Sequence, residues 1–280
     1  MAEDETKEQK QTQPLILKGK GDERHSFCIP AEARDLSSDF NGDVSAPDGD
    51  YIEIANNIIR YLKGVPKNIT MAQRSNFLPP TAAFYEDTWR RRSIGFLSGE
   101  RFSFEDEKQL LLSWTGPFNK GLVLDLGTST GFYARALAAA EKSAEVVAID
   151  ISEAMLEEAR KRSVAQGVSL YLLKADVCEL PFYGNSAGLI VCGGSLNEFS
   201  NPEKALYEAK RVLRPDGRLF MMHLLRADTF TGKMAQKASE AGGISFWTEH
   251  ETELLFGRAG FEIERRLKLG IVMFSLLKPV

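Results

Sequence analysis

The segment of this chain whose residue types and spacing could do chemistry is VLDLGTSTGFYARAL, residues 123–137. An apolar run carrying Asp125 passes into a glycine turn and then into a helical pattern. Gly127 and Gly131 bracket Thr128, Ser129 and Thr130. Small residues ahead of a helix let a ligand approach the backbone and meet its free N–H groups. The carboxyl ends of strands in an open α/β sheet are where such ligands bind. Two more carboxylates, Asp150 after VVAI and Asp176 after YLLKA, close apolar runs of their own. Each reads as a ligand acceptor or as a plain strand-end cap. A dinucleotide-binding GxGxxG counted from Gly127 needs glycines where Ser129 and Phe132 stand. Phe132 would obstruct close helix–strand packing, so that reading fails.

The elements that must position these residues alternate between short apolar runs and helical patterns. GLVLDLG, EVVAID, SLYLLKAD and AGLIVCGG read as strands, nearly apolar throughout, as parallel strands covered on both faces should be. Between the second and third, Ser152 caps a helix that Gly167 stops. Asn201-Pro202 opens another, with Ala205, Leu206, Ala209, Val212 and Leu213 as its apolar stripe and Arg211 and Arg214 in its last turns. Pro215-Asp216-Gly217 is expected to turn the chain into RLFMMHLL. Thr248 with Glu251 forms a capping box, and FEIERRLKLG and IVMFSLLKPV close the chain as adjacent strands. The alternation predicts an α/β fold with right-handed crossovers.

On these residues the sequence resembles the class I S-adenosylmethionine-dependent methyltransferases, in particular the ubiquinone/menaquinone-biosynthesis-type branch. The first motif of that family is matched by Asp125, Gly127 and Gly131, with Ser129 in place of its middle glycine. VVAIDISEAMLEEARKR, LLKADVCELPF and NPEKALYEAKRVLRPDGRLFM follow in order, so the resemblance covers about residues 121–280. It implies a three-layer Rossmann-like sandwich, a seven-stranded, mostly parallel sheet with an antiparallel last strand, and an N-terminal helical or irregular extension. The cofactor it implies is S-adenosylmethionine, with S-adenosylhomocysteine as product. Asp150 would accept from the ribose hydroxyls, Asp176 from the adenine amino group, and the Val177 N–H would meet a ring nitrogen. Ile151 and Met155 would pack on adenine. Gly127 with Thr128 and Ser129 would take the methionine portion and Asp125 its ammonium, while Cys192, Gly193 and Gly194 would lie near the sulfonium. Asn197 is a further contact to cofactor or acceptor.

A sulfonium is an activated methyl donor, so the protein must chiefly align an acceptor and exclude water. The proton-handling candidates are His223, His250, Glu198 and Tyr85, with His223, at the end of the fifth strand, the first choice as catalytic base. No Asn/Asp-Pro-Pro-aromatic tetrad follows the fourth strand. The formal net charge of −4 argues against the phosphate neutralisation that nucleic-acid binding runs on. A small-molecule methyl acceptor is therefore expected, and no nucleic acid. A cofactor-binding but non-catalytic homologue is the alternative.

Four regions are expected. Residues 1–13 are expected to be a disordered tail, 14–75 an accessory segment, 76–118 a helical cover of the active site, and 119–280 the cofactor-binding domain. Within the cover, Tyr85 and Trp89 share a helix face and, with Arg91, are candidate acceptor-binding residues. Ser103 with Asp106 caps its second helix. YIEIANNIIRYL, residues 51–62, resembles the end of a zinc-ribbon-like module that precedes some related methyltransferases. Only Cys28 stands near where paired cysteines would sit, so no metal is expected. The three cysteines lack CxxC spacing, which makes a reducing, cytoplasmic setting the expectation. The acidic amino end is no targeting peptide, although a processed organellar form would read the same. No apolar run reaches the ~20 residues of a membrane span, so stable membrane insertion is not expected.

Overall fold

A computed structural model describes residues 15–19, 26–46, 50–66, 69–75, 77, 97, 102–117 and 121–280. Its main sheet is built around the motif strand β6 (Leu122–Leu126). The strands before β6 are β1 (Leu15–Lys18), β2 (Ser26–Ile29), β3 (Gly42–Ser45), β4 (Tyr51–Ala55) and β5 (Ile58–Arg60). After it come β7 (Glu145–Asp150), β8 (Tyr171–Lys174), β9 (Ala187–Gly193), β10 (Leu213–Leu224), β11 (Phe261–Leu269) and β12 (Val272–Pro279). Ten of these form one sheet in the order β11-β12-β10-β9-β6-β7-β8-β5-β4-β3, and β1 pairs with β2 separately.

From β10 through β9, β6, β7 and β8 to β5 all pairs are parallel. β12 lies antiparallel between β10 and β11, as the family resemblance led us to expect. The chain runs from β6 outward through β7 to β8 and then returns to β9 on the other side of β6. That reversal makes the carboxyl ends of β6 and β9 the topological switch point, where an open α/β sheet binds its ligand.

The helices follow from local signals. α1 (Met71–Ser75) is short. α2 (Phe104–Thr115) starts at a capping box of Ser103 and Asp106. α3 (Phe132–Ala140) starts at Gly131, whose φ of 82° suits glycine. α4 (Glu153–Gln166) runs from Ser152 to a left-handed Gly167. α5 (Pro202–Val212) is capped by the Asn201 side chain, which accepts from the Lys204 N–H. α6 (Phe230–Ala241) and α7 (Glu249–Arg258) follow, the latter on the Thr248–Glu251 box.

Strands buried on both faces separate two cores, which gives the three layers. Leu111 of α2, Leu137 of α3 and Leu156 of α4 pack with Val123, Val191 and Phe220 on one face. Leu206 of α5, Phe256 of α7 and Phe27 of β2 pack with Leu124, Ile190 and Met221 on the other.

Three expectations are corrected. The sheet has ten strands rather than seven, because β3, β4 and β5 continue it beyond β8. Within the described residues the extension ahead of the core is thus built mainly of strands. Ile58 and Ile59 pair with Leu172 and Leu173, and all four are fully buried. α5 ends at Val212, so Arg214 belongs to β10 rather than to the helix. Pro215–Gly217 lies inside β10, at an irregularity in its pairing with β9 between Leu213 and Arg218.

Candidate functional site

The turn after β6 is held by its own polar groups. Asp125 is buried, and its Oδ2 accepts from the Thr128 hydroxyl at 2.5 Å and the Ala134 N–H at 3.1 Å. Gly127 adopts φ 64°, and a Cβ there would stand 2.6 Å from the Ser195 Cβ. Ser195 donates its hydroxyl to the Gly127 carbonyl at 2.7 Å, which binds the turn to the end of β9. Ser129 also adopts a left-handed φ, 51°, so the residue replacing the middle glycine keeps a glycine-like backbone.

Asp150 joins this turn to the next strand. Its Oδ2 accepts the Ser129 N–H and its Oδ1 the Ser152 N–H, both at 2.8 Å. Burial pushes the carboxyl pKa up to about 6 against the opposing pull of the N–H groups of Ser152, Ser129 and Ile151. A carboxylate offers about four lone-pair sites, so these backbone N–H groups still leave room for a ligand's hydroxyl.

A cavity of about 690 Å³ opens beside Asp150, with Gly127, Ser129, Ile151, Asp176 and Val177 in its wall. A second cavity, of about 310 Å³, shares Gly127 and Ser129 and is completed by Asp125, Thr128, Thr130, Phe132, Tyr133 and Gly193. Nine of the fourteen residues expected to bind the cofactor thus line one cavity or the other.

The remaining five take supporting positions. Gly131 caps α3, and a Cβ on it would come within 3.1 Å of the Ala159 Cβ. Met155 is fully buried, with its sulfur 3.4 Å from the Ser129 hydroxyl. Cys192 lies in the core, and Gly194 turns the chain at φ 100°. Asn197 is buried as a clamp: it donates to the Leu224 and Ser245 carbonyls and accepts the Leu224 N–H.

His223, the expected base, is fully buried and lines neither cavity. Its ring meets Phe256 edge-on at 5.7 Å, and neither ring nitrogen has a hydrogen-bond partner in the structure. Burial lowers its pKa to about 3, so the imidazole is neutral and points into the α5–α7 layer. His250 is exposed at the start of α7. Glu198 does line the larger cavity. Tyr85, Trp89 and Arg91 lie outside the described residues.

Sequence reasoning missed Pro66, Ile69 and Gln73, which enter the larger cavity from the accessory segment, and Ser195, Phe199 and Ser200 after β9. Only Ser195 left a signal, as a small polar residue directly after the two glycines that end β9. Cys178 also lines the cavity, where burial, with the Asp176 carboxylate beside it, pushes its thiol pKa up to about 12 and keeps it protonated.

Comparison with known proteins places the site in a family. Residues 124–221 match the methyltransferase domain family. The chain is 27% identical to an uncharacterized chloroplastic methyltransferase of Arabidopsis thaliana, over 81% of this chain and 66% of that protein. It is 32% identical to the demethylmenaquinone methyltransferase of Chlamydia pneumoniae, over 52% of this chain and 73% of that protein. Over the demethylmenaquinone methyltransferase of Thermus thermophilus it is 38% identical, but the match spans only 36% of this chain and 46% of that protein. Among solved structures, a SAM-dependent methyltransferase from Aquifex aeolicus superposes with a TM-score of 0.55 at 24% identity, covering 72% of this chain and 98% of that one. The chain belongs to the class I S-adenosylmethionine-dependent methyltransferases, in the branch that holds the ubiquinone and menaquinone biosynthesis enzymes.

Proposed function

We propose that this protein transfers a methyl group from S-adenosylmethionine to a small-molecule acceptor of the reduced-quinone kind. The observation that carries the reading is Asp150, which lines the larger cavity and accepts the N–H of Ser129, a residue common to the walls of both cavities. The donor set suits the cofactor: a carboxylate with spare lone pairs for a ribose diol, a second carboxylate at Asp176, and a glycine turn into α3. When bound, the cofactor supplies an activated methyl group on a sulfonium. The protein's own residues then bind and orient. Asp150 accepts from the ribose, Ile151 and Val177 flank the base, and the turn from Gly127 to Gly131 leaves space for the methionine end. Glu198 is positioned to hold a proton released by the acceptor at a carboxylate oxygen.

The quinone class is supported by the name of the Chlamydia relative, a demethylmenaquinone methyltransferase. No described helix is long and apolar enough to cross a membrane. The test is incubation with methyl-labelled S-adenosylmethionine and a panel of demethylated hydroquinones, alongside an untargeted metabolite extract. Label in a quinone product supports the reading. Label in a different small molecule would move the acceptor class, and cofactor binding without transfer to any acceptor would favour a non-catalytic homologue.

A further inference from the structure

Beyond lengthening the sheet, the accessory segment reaches the larger cavity. β5 ends beside β8, where the Leu62 N–H donates to the Lys174 carbonyl at 2.8 Å. Pro66 and Ile69 then line the cavity. Thr70 meets the loop after α6, where a Cβ on Gly243 would stand 2.7 Å from the Thr70 Cβ. That loop is joined to the residues just after β9, since the Ser245 N–H donates to the Asn197 carbonyl at 2.8 Å. The segment is thus tied to the β8 side and to the β9 side of the site. α1 follows at once, with Gln73 in the cavity wall.

Gln73 is half-buried, and its neighbour fixes which way its amide faces. The Thr70 N–H donates to Gln73 Oε1 at 2.9 Å, and the Gln73 N–H donates back to the Thr70 hydroxyl oxygen at 3.0 Å. A backbone N–H can only donate, so the amide oxygen must face Thr70 and the NH2 group the other way. The group that Gln73 can offer a ligand is therefore a donor. Among the described residues that line the cavity, Gln73 is the one whose side chain carries N–H groups. Asp150, Asp176 and Glu198 bring carboxylates, and the Ser195 hydroxyl is already donated to the Gly127 carbonyl at 2.7 Å.

We propose that Gln73 is a cofactor-recognition residue that donates its side-chain N–H to a ring nitrogen of the adenine. The inference rests on the proposed function, which places the adenosine of the cofactor in the larger cavity. Adenine donates through its amino group and accepts at its ring nitrogens N1, N3 and N7. The carboxylates suit the amino group and the ribose hydroxyls, but an ionised carboxylate turned to a ring nitrogen sets lone pair against lone pair. A ring nitrogen taken out of water without a donor costs binding energy. Pro66 and Ile69 bring apolar surface from the same segment, which suits the faces of the base. The accessory segment is on this reading a part of the cofactor site.

The test is calorimetric titration of S-adenosylhomocysteine and its 1-deaza, 3-deaza and 7-deaza analogues, each with a ring nitrogen replaced by C–H. The proteins are the wild type, Gln73→Ala and Gln73→Glu. Gln73→Ala should weaken S-adenosylhomocysteine about fivefold, the size of one net hydrogen bond. Gln73→Glu keeps an acceptor for the Thr70 N–H but lacks the donor, so it should weaken the ligand at least as much. One of the deaza analogues should bind the wild type and Gln73→Ala alike, because the atom that Gln73 would contact is gone. Equal losses for the parent ligand and every analogue would mean that Gln73 only shapes the segment, and would overturn the proposal. An unchanged affinity for S-adenosylhomocysteine in either variant would overturn it too, and both results leave the cofactor reading intact. A wild-type protein that does not bind S-adenosylhomocysteine would overturn both.

Discussion

Asp150 and Ser129 meet at the ends of neighbouring elements, the carboxylate of one accepting the backbone N–H of the other at 2.8 Å. This bond fixes the turn that replaces a glycine with serine, and it holds the acceptor carboxylate at the cavity wall. It also links cofactor affinity to the protonation of Asp150. Burial raises that carboxyl to about 6. Hydrogen bonds from ribose hydroxyls are made best to the ionised form.

Affinity for S-adenosylhomocysteine should therefore fall as pH drops through about 6. Stability of the ligand-free protein responds in the opposite sense. A carboxyl whose pKa is raised on folding contributes stability that is fully present below about pH 4, its unfolded value, and is lost as pH rises through 6. Titrations at pH 5 and pH 7.5 check the binding arm. Asp150→Asn should bind more weakly and show little pH dependence between them, and a wild-type affinity unchanged over this range would refute the assignment.

Gly127→Ala should damage both stability and binding. The new Cβ would meet Ser195 at 2.6 Å, and alanine at φ 64° adds backbone strain. A loss of roughly 2–3 kcal/mol is expected from the strain and the contact together. Denaturant unfolding measures it, and an alanine variant as stable as the wild type would show that the turn has room to spare.

His223→Leu should preserve methyl transfer and leave stability unchanged or raised by up to ~2 kcal/mol, because a buried imidazole without a hydrogen-bond partner is replaced by an apolar side chain. Its pKa is lowered to about 3, so His223 contributes stability that is present above its unfolded value near 6.5 and is lost as pH falls toward 3. The leucine variant should be the less acid-sensitive protein. Loss of transfer in a correctly folded variant would restore His223 as a catalytic candidate.

The residues that were legible in the sequence are those whose roles are local. Asn201, Thr248 and Ser103 cap the helices that follow them by accepting the N–H three residues downstream, and Gly127 and Asp150 sit at strand ends that apolar runs announce. What stayed hidden depends on distant partners. β10 is apolar on both faces, so no alternation of residue type shows that Met222 and His223 enter opposite cores. β4 and β5 turn through Asn56 and Asn57, both at positive φ as a two-residue hairpin requires, yet the pairing of β5 with β8 spans more than a hundred residues.

The strands ahead of β6 should prove inseparable from the cofactor domain. Ile59 is fully buried against Leu173 and its neighbours, and Arg60 reaches Glu153 in the first turn of α4 at 2.5 Å. Ile59→Ala should lower the stability of the whole chain by about 2–4 kcal/mol in one cooperative transition. Two transitions, with only the weaker one shifted, would mean that the accessory strands unfold as a separate unit.

The central claim, that the two cavities around Asp150 and Ser129 hold S-adenosylmethionine, is tested most directly by titrating S-adenosylhomocysteine into the purified protein in a calorimeter. The account predicts a saturable binding heat with a raised melting temperature, as mass action requires of a ligand that binds the native state. It also predicts an affinity lower by about 1.5–3 kcal/mol in a folded Asp150→Ala variant. No heat and no thermal shift at millimolar ligand, or equal affinity in the wild type and the variant, would contradict it.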